Sequence, residues 1–268
     1  MDLCFAGAGR LATQLARALA EKGGHRITAV YSRTTDAART LADSVGAEAA
    51  ASVAALCAHT ADAIIIAVSD DAIATVAEQI AREERKRNAD GEGTSACRPV
   101  FHTAGSVPMS VLQHMAHHGV IYPMQTFSKE RKVDFSRVTF FTEASDGDTL
   151  AVAHSIAASV SGRVATLDSD RRRYLHLAAV FAGNFANHCY TLAADIVERC
   201  GLDFTVMLPL IEETAAKVET MHPREAQTGP AVRHDTNVMQ RQRELLGEEK
   251  MAQQIYTLMS ESIHRHSL

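Results

Sequence analysis

Leu3-Cys4-Phe5-Ala6-Gly7-Ala8-Gly9-Arg10-Leu11-Ala12 is a short apolar run followed at once by glycines in the order G-x-G-x-x-A. Residues 13–22 then follow with the composition of a helix. In such a strand–turn–helix unit, the first glycine permits the tight turn and the second lets a pyrophosphate approach the backbone. The small third residue lets the helix lie close to the strand, and the positive end of the helix favours phosphate. The stretch therefore predicts a dinucleotide site; the alternative is an ordinary tight turn between a strand and a helix.

The end of the second predicted strand, residues 25–31, bears on which dinucleotide is bound. Folds that bind NAD usually place an acidic residue here, which accepts a hydrogen bond from the ribose 2′-OH. This chain has Ser32, Arg33 and Thr34 instead, and a guanidinium with two hydroxyls suits a 2′-phosphate. We therefore expect NADP in preference to NAD. The alternative is that Arg33 is a solvated loop charge.

The first two thirds of the chain alternate between strand and helix patterns. The run at residues 63–68 is continuous and β-branched, as is typical of a strand buried on both faces of a sheet. Strands are also predicted at 100–103, 119–123, 138–142 and 163–167, and residues 46–49 are predicted as a short strand or a turn. Helices are predicted at 36–45, 53–58, 72–85, 110–118 and 149–160, and residues 86–99 read as a surface loop. The predicted fold class is α/β, with a Rossmann-type, doubly wound and mainly parallel sheet over residues 1–167.

From residue 168 onward only helices are predicted. Residues 171–200 contain no proline and one glycine, which predicts one long helix at the centre of a second domain. A helix at 203–219 should be kinked at Pro209, and residues 222–230 form a loop. Two more helices, 235–246 and 248–263, complete an all-α domain over residues 168–268.

Composition narrows the functional classes. The chain has 268 residues, of which 46% are hydrophobic and 22% charged, and a net charge of -5. This balance gives no sign of a nucleic-acid or anionic-membrane partner, and no apolar run reaches transmembrane length. Five scattered cysteines without a C-x-x-C pair predict reduced thiols and a cytoplasmic protein. His114, His117 and His118 lack a paired carboxylate or cysteine, so we expect no metal site.

Two polar features of the second half are candidates for chemistry. His176, Asn184, Asn187 and Thr191 recur at helical spacing among apolar residues, which predicts a buried polar face. Such residues either bond to neighbouring helices or face a nicotinamide pocket at a domain interface, and both interpretations stay open. In the loop at residues 227–235, Thr228 and Arg233 are candidates for substrate contact, because Arg233 can bind a carboxylate or phosphate.

Several motifs together resemble a known family. The stretches at residues 7–12, 102–106, 122–127, 175–188 and 227–231 resemble the NADP oxidoreductases that join a Rossmann-like domain to a helical domain of unassigned function. The resemblance covers nearly the whole chain. The family is similar in layout to pyrroline-5-carboxylate reductases and 3-hydroxyacid dehydrogenases, which dimerise through their helical domains. Hydroxyacid dehydrogenases place a lysine one turn before the asparagine that matches Asn184, whereas this chain has Val180 there. The resemblance therefore implies dinucleotide binding and a homodimer, without a lysine general acid.

We predict an NADP-dependent oxidoreductase that transfers hydride between NADPH and a small carbonyl or imine. Asn184 and Asn187 are the candidates for polarising the substrate, His176 or His102 for donating a proton, and Gln125 joins Thr228 and Arg233 as a candidate substrate contact. Cofactor contacts are expected at Gly7, Ala8, Gly9, Arg10, Leu11, Ser32, Arg33, Thr34, Val68, Ser69, Asp70, Thr103 and Gly105. The alternative function is a dinucleotide-binding regulatory or scaffold protein that performs no chemistry.

Overall fold

The computed structural model describes residues 1–89, 97–128 and 131–267. The chain divides into two compact units, Met1–Gly183 and Asn184–Leu268. The first unit thus includes the start of the predicted long helix, whereas the sequence places the domain boundary at residues 167–168.

One eight-stranded sheet forms the centre of the first unit, in the order β3-β2-β1-β4-β5-β6-β7-β8. Its strands are β1 Asp2–Ala6, β2 Arg26–Tyr31, β3 Glu48–Ala50, β4 Ala63–Ile66, β5 Val100–His102, β6 His118–Met124, β7 Thr139–Ala144 and β8 Val164–Thr166. All neighbouring strands are parallel except β6 and β7. The strand order reverses between β1 and β4, and ligands bind beside such a reversal, outside the carboxyl ends of the strands.

Helices cover both faces of this sheet. In the first unit they are α1 Arg10–Glu21, α2 Thr35–Val45, α3 Val53–Ala58, α4 Asp70–Ala89, α5 Gly147–Ala158 and α6 Ser169–Ala179. Alternate residues of β1 belong to two separate apolar clusters: Leu3 and Phe5 to one, Cys4 and Ala6 to the other. Since successive strand residues point to opposite faces, β1 is buried on both sides, and the predicted doubly wound α/β fold is confirmed.

Two local predictions in this unit are wrong. The expected helix at 110–118 is a single 3₁₀ turn, Met109–Leu112, because His118 already pairs with β5 as the first residue of β6. The expected loop from residue 86 begins later, because α4 continues to Ala89. The ion pairs of Lys86 with Glu83 and of Arg87 with Glu84 continue the helical spacing there. Of the rest of the predicted loop, residues 97–99 form neither helix nor strand, and residues 90–96 lie outside the described residues.

The predicted long helix is continuous but not uniform. Asp168 caps it by accepting a hydrogen bond from the Arg171 N–H at 2.8 Å, and α6 then passes into a π-helical segment, Val180–Phe185. The α-helix resumes as α7, Ala186–Arg199. Gly183 lies inside the wider turn, and such π segments often occur at functional sites. The predicted burial of the polar face is wrong for the single chain, because Asn184, Asn187 and Thr191 are exposed.

The second unit, taken by itself, is helical. A 3₁₀ turn, Phe204–Met207, leads into α8 Leu208–Thr220, followed by α9 Pro223–Ala226, α10 Thr236–Glu244 and α11 Lys250–Ser267. The predicted kink at Pro209 does not occur, because Pro209 lies in the first turn of α8, where a helix needs no N–H. None of the helices among the described residues has the length and hydrophobicity to cross a membrane.

Candidate dinucleotide and proton-transfer site

The turn after β1 leaves space only for glycine. Gly7 has a φ of 128°, and its N–H donates to the Tyr31 carbonyl at 2.7 Å. A Cβ at Gly7 would lie 2.2 Å from the Ala67 carbonyl oxygen, far inside van der Waals contact. Only glycine therefore fits at residue 7, where the chain leaves β1 between the ends of β2 and β4.

Gly9 has a different role, because nothing lies within 4 Å of the position its Cβ would take. It is the N-cap of α1 and offers no side chain to the first N–H groups of that helix, and the first turn carries no acidic residue. These N–H groups and the positive end of the helix are thus available to an anion. The open space beside a helix N-terminus fits the pyrophosphate of a dinucleotide.

The cavity at this edge of the sheet measures ≈ 910 Å³, towards the upper end of the range of about 300–1,000 Å³ that is typical of ligand sites. Ten of the residues expected to contact the cofactor line it: Gly7, Ala8, Gly9, Arg10, Leu11, Ser32, Arg33, Thr34, Val68 and Ser69. Seven lining residues were not expected from the sequence: Tyr31, Ala67, Asp71, Ala72, Thr75, Val76 and Gln79. Most of these seven positions could have been predicted from the sequence, because they lie at the ends of predicted strands or in the first turns of α4.

The other three expected cofactor residues do not line this cavity. The Asp70 carboxylate accepts a hydrogen bond from the Ser106 hydroxyl, which ties the first residue of α4 to the loop after β5. Thr103 is buried, and its N–H donates to the Ile66 carbonyl at 3.2 Å. Gly105 packs against the side chains of Tyr122 and His176, which lie further along the chain.

The Tyr122 hydroxyl and His176 Nδ1 are hydrogen-bonded at 3.1 Å, and the two rings meet edge to face with centroids 6.0 Å apart. A Cβ on Gly105 would lie 2.5 Å from His176 Nδ1 and 2.8 Å from Tyr122 Cζ. Burial raises the pKa of Tyr122, so its phenol keeps its proton at neutral pH. Glycine at residue 105 thus leaves the space that the two rings occupy.

His102 does not suit the predicted role of proton donor. It is fully buried, and its Nδ1 accepts a hydrogen bond from the Ala104 N–H at 3.2 Å. Among the described residues no group makes a hydrogen bond of good geometry with Nε2. Burial and then the charge of Arg172 lower the pKa of His102 to about 3, against a weak opposing effect of the Pro108 backbone. The ring is therefore neutral at physiological pH, and His176 is the better candidate.

A buried arginine holds the start of α6 against the sheet. Arg172 has no exposed surface and forms an ion pair with Glu143 on β7. Its guanidinium also donates to the Val107 carbonyl at 2.6 Å and to the Ser169 hydroxyl at 3.2 Å. Since residues four apart share a helix face, this anchor also fixes the position of His176. The sequence did not single out Arg172, because the flanking Arg171 and Arg173 are the same residue type.

The remaining candidates occupy exposed positions. Gln125 follows β6 and its side-chain oxygen accepts the Thr126 N–H at 2.8 Å. In the second unit, Thr228 and Arg233 are exposed around Gly229, which has a φ of 111°. Asp235 caps α10 by accepting a hydrogen bond from the Val238 N–H at 3.2 Å. No cluster of His, Cys, Asp and Glu suited to a metal is found within residues 1–89, 97–128 and 131–267.

The reversed strand order, the glycine turn and the cavity beside them define an NAD(P)-binding Rossmann-type protein with a helical second unit. The family described as NADP oxidoreductase coenzyme F420-dependent matches residues 2–89, and the domain of unknown function DUF2520 matches residues 138–263. The chain is 44% identical to a putative NADP oxidoreductase, BF3122, from Bacteroides fragilis, with a TM-score of 0.88 and 98% of each chain covered. The protein therefore belongs to this NADP oxidoreductase family, as its motifs predict.

More distant structures share the fold. Protein TM1727 from Thermotoga maritima is 23% identical with a TM-score of 0.74, covering 97% of this chain and 98% of its own. An imine reductase from Myxococcus stipitatus, solved with NADP+, is 18% identical with a TM-score of 0.65, covering 99% of this chain and 93% of its own. No protein of curated function matches the sequence significantly.

Proposed function

We propose that this oxidoreductase transfers hydride between NADPH and a small carbonyl or imine. The observation that carries the proposal is the Tyr122–His176 hydrogen bond, 3.1 Å long, beside the loop that follows β5. Because β4, β5 and β6 are parallel, their carboxyl ends lie at the same edge of the sheet, which also carries the glycine turn. Tyr122 lies near the carboxyl end of β6. Similarity in fold to an imine reductase gives additional support.

The fit of the chain to a dinucleotide supports the cofactor assignment. Gly7 and Gly9 would carry the pyrophosphate at the first turn of α1, and Arg33 would meet the 2′-phosphate. When bound, the nicotinamide supplies the hydride. The chain's own contribution is to orient it, to exclude water and to supply a proton.

We assign the proton to Tyr122 and His176. A phenol whose pKa is raised by burial stays protonated at neutral pH and can donate to a carbonyl oxygen or imine nitrogen. His176, as hydrogen-bond partner, is placed to return a proton to the phenol. Asn184 and Asn187 are kept as proposed polarising groups, and Gln125, Thr228 and Arg233 as proposed substrate contacts. The cytoplasmic location also stays a prediction.

A spectrophotometric assay tests the reaction. We expect NADPH to be oxidised with some members of a panel of small ketones and cyclic imines, and Tyr122→Phe to lower kcat by about 10²-fold with unchanged NADPH affinity, as general-acid loss predicts. Tyr174→Phe is the matched control, because Tyr174 is 78% exposed. Binding of NADPH without turnover of any substrate would instead favour the non-catalytic, regulatory function. Normal turnover in Asn184→Ala would remove that residue from the mechanism.

The preference for NADP rests on Arg33, which lies between Ser32 and Thr34 and lines the cavity. None of these three residues carries a carboxylate. We expect Arg33→Ala to weaken NADP binding about 10- to 100-fold, the value of a charge-assisted hydrogen bond, and to leave NAD binding unchanged. Calorimetric titration with both nucleotides measures this, with Arg39→Ala on the exposed side of α2 as control. Tighter binding of NAD than of NADP by the wild type would contradict the assignment. A variant of the Myxococcus stipitatus imine reductase was solved with NAD+.

A homodimer is supported by the apolar surface of the second unit. Its exposed large apolar side chains are Phe185, Tyr190, Ile196, Leu202, Val206, Leu208, Leu210, Val218, Met221, Leu245, Met251, Leu258 and Met259. So many exposed apolar residues on about eighty residues of chain indicate a surface that binds a partner. We assign that partner as a second copy of this chain, which sedimentation can distinguish from the 28.9 kDa monomer.

A further inference from the structure

The second unit contains a groove between α10 and α11 that the proposed reaction does not use. Its volume is ≈ 370 Å³. The lining residues are His234, Thr236, Met239, Gln240, Arg243, Tyr256, Thr257, Ser260, Glu261, His264 and Arg265.

The residues that line the groove follow helical spacing on both sides. Residues 236, 239, 240 and 243 form one stripe of α10, and residues 257, 260, 261, 264 and 265 form one stripe of α11. Two packed helices normally meet through apolar stripes. Here the facing stripes are mostly polar, with Met239 as the large apolar exception, and Tyr256 lines the groove next to the stripe of α11. A groove between two helices that carries a few polar groups is a common position for a ligand site.

The charged groups of the groove are mainly cationic. Arg243 and Arg265 approach it from opposite helices, and neither makes an ion pair with any described residue. Glu261 is the only carboxylate among the lining residues. The two arginines and the single glutamate alone give the lining a positive formal charge.

Two histidines complete this cluster. The rings of His234 and His264 are stacked with centroids 4.1 Å apart and planes 27° apart. His234 has a φ of 55°, an uncommon backbone conformation for a residue other than glycine. His264 Nδ1 is buried and has no hydrogen-bond partner among the described residues. Parallel stacked rings do not converge on a common point as metal ligands must, whereas imidazole N–H groups do suit an anion.

We propose that this groove binds a small anion through a carboxylate or phosphate group. Arg243 and Arg265 present planar guanidinium donors that match either group, and the Ser260 hydroxyl adds a further donor. Met239 and Tyr256 provide an apolar wall for the organic part of the ligand. The Tyr256 hydroxyl is itself engaged, since it donates to Gln242 Oε1 at 2.7 Å. The site does not depend on the proposed reductase activity.

Calorimetric titration of the full chain with inorganic phosphate and, separately, with succinate tests the proposal. We expect saturable binding of at least one anion, weakened about tenfold or more by Arg243→Gln and by Arg265→Gln, as loss of a charged hydrogen bond predicts. Arg241→Gln is the matched control on α10. Its side chain lies outside the groove and donates to the Asn237 carbonyl at 3.2 Å, so its removal should leave the affinity unchanged.

The two anions identify the ligand class. Tighter binding of succinate supports a carboxylate ligand, and tighter binding of phosphate supports a phosphorylated one. The proposal is overturned by no saturable binding of either, by equal weakening in Arg241→Gln, or by phosphate binding that survives both groove variants. The last result would assign the anion to the N-terminus of α1. Thermal melting of each variant verifies that a lost signal is not lost folding.

Discussion

Gly7→Ala should both destabilise the protein and abolish nucleotide binding. The added Cβ would lie 2.2 Å from the Ala67 carbonyl oxygen and 2.5 Å from its carbon, and both are backbone atoms that cannot rotate away. The φ of 128° at this position is also one that alanine rarely adopts. Overpacking and backbone strain of this kind cost about 2–4 kcal/mol together. Urea unfolding measures that loss, and calorimetry measures the affinity for NADP.

Gly9→Ala separates binding from stability. Its φ of -75° is ordinary, and its Cβ would meet no protein atom within 4 Å. The free energy of unfolding should therefore change by no more than about 0.5 kcal/mol, as for a surface substitution. The methyl group would enter the cavity at the first turn of α1, so NADP should bind much more weakly. Unaltered affinity in Gly9→Ala would show that the pyrophosphate lies elsewhere, and wild-type stability of Gly7→Ala would contradict the close packing of the turn.

Arg172→Ala should lower the free energy of unfolding by about 3 kcal/mol, the lower end of the range for breaking a buried pair. Removal of the guanidinium leaves Glu143, 16% exposed, without its counter-charge, and leaves the Val107 carbonyl without its donor. Because Arg172 anchors the first turn of α6, we also expect lower reductase activity through displacement of His176. Urea unfolding and the NADPH assay measure the two effects.

Arg173→Ala is the neighbouring control. Arg173 is 57% exposed and pairs with the exposed Asp170 within one helical turn, so its loss should cost no more than about 0.5 kcal/mol. Equal effects of the two substitutions would mean that burial does not distinguish them. A loss below about 1 kcal/mol for Arg172→Ala would show that the ion pair does not hold α6 against the sheet.

The outline of the fold could be predicted because its signals are local. A glycine turn between strand and helix, and the β-branched run that contains β4 at Ala63–Ile66, are read from consecutive residues. Most of the dinucleotide cavity follows directly, since its lining is the ends of the same strands. The ends of the elements were less predictable. The helix expected at residues 110–118 is a single 3₁₀ turn, Met109–Leu112, and His118 instead pairs with β5. That pairing partner lies outside the segment and cannot be read from it.

By itself the sequence determined the class of fold, the glycine turn and the position of Arg33. Only the tertiary structure showed that Tyr122 meets His176 across 54 residues of chain, and that Arg172 rather than its two neighbours is buried. Exposure of Asn184 and Asn187 was likewise not visible in their apolar surroundings. The physical reason is that a periodic pattern records which residues share a face, whereas burial and hydrogen bonding depend on what the rest of the chain brings against that face.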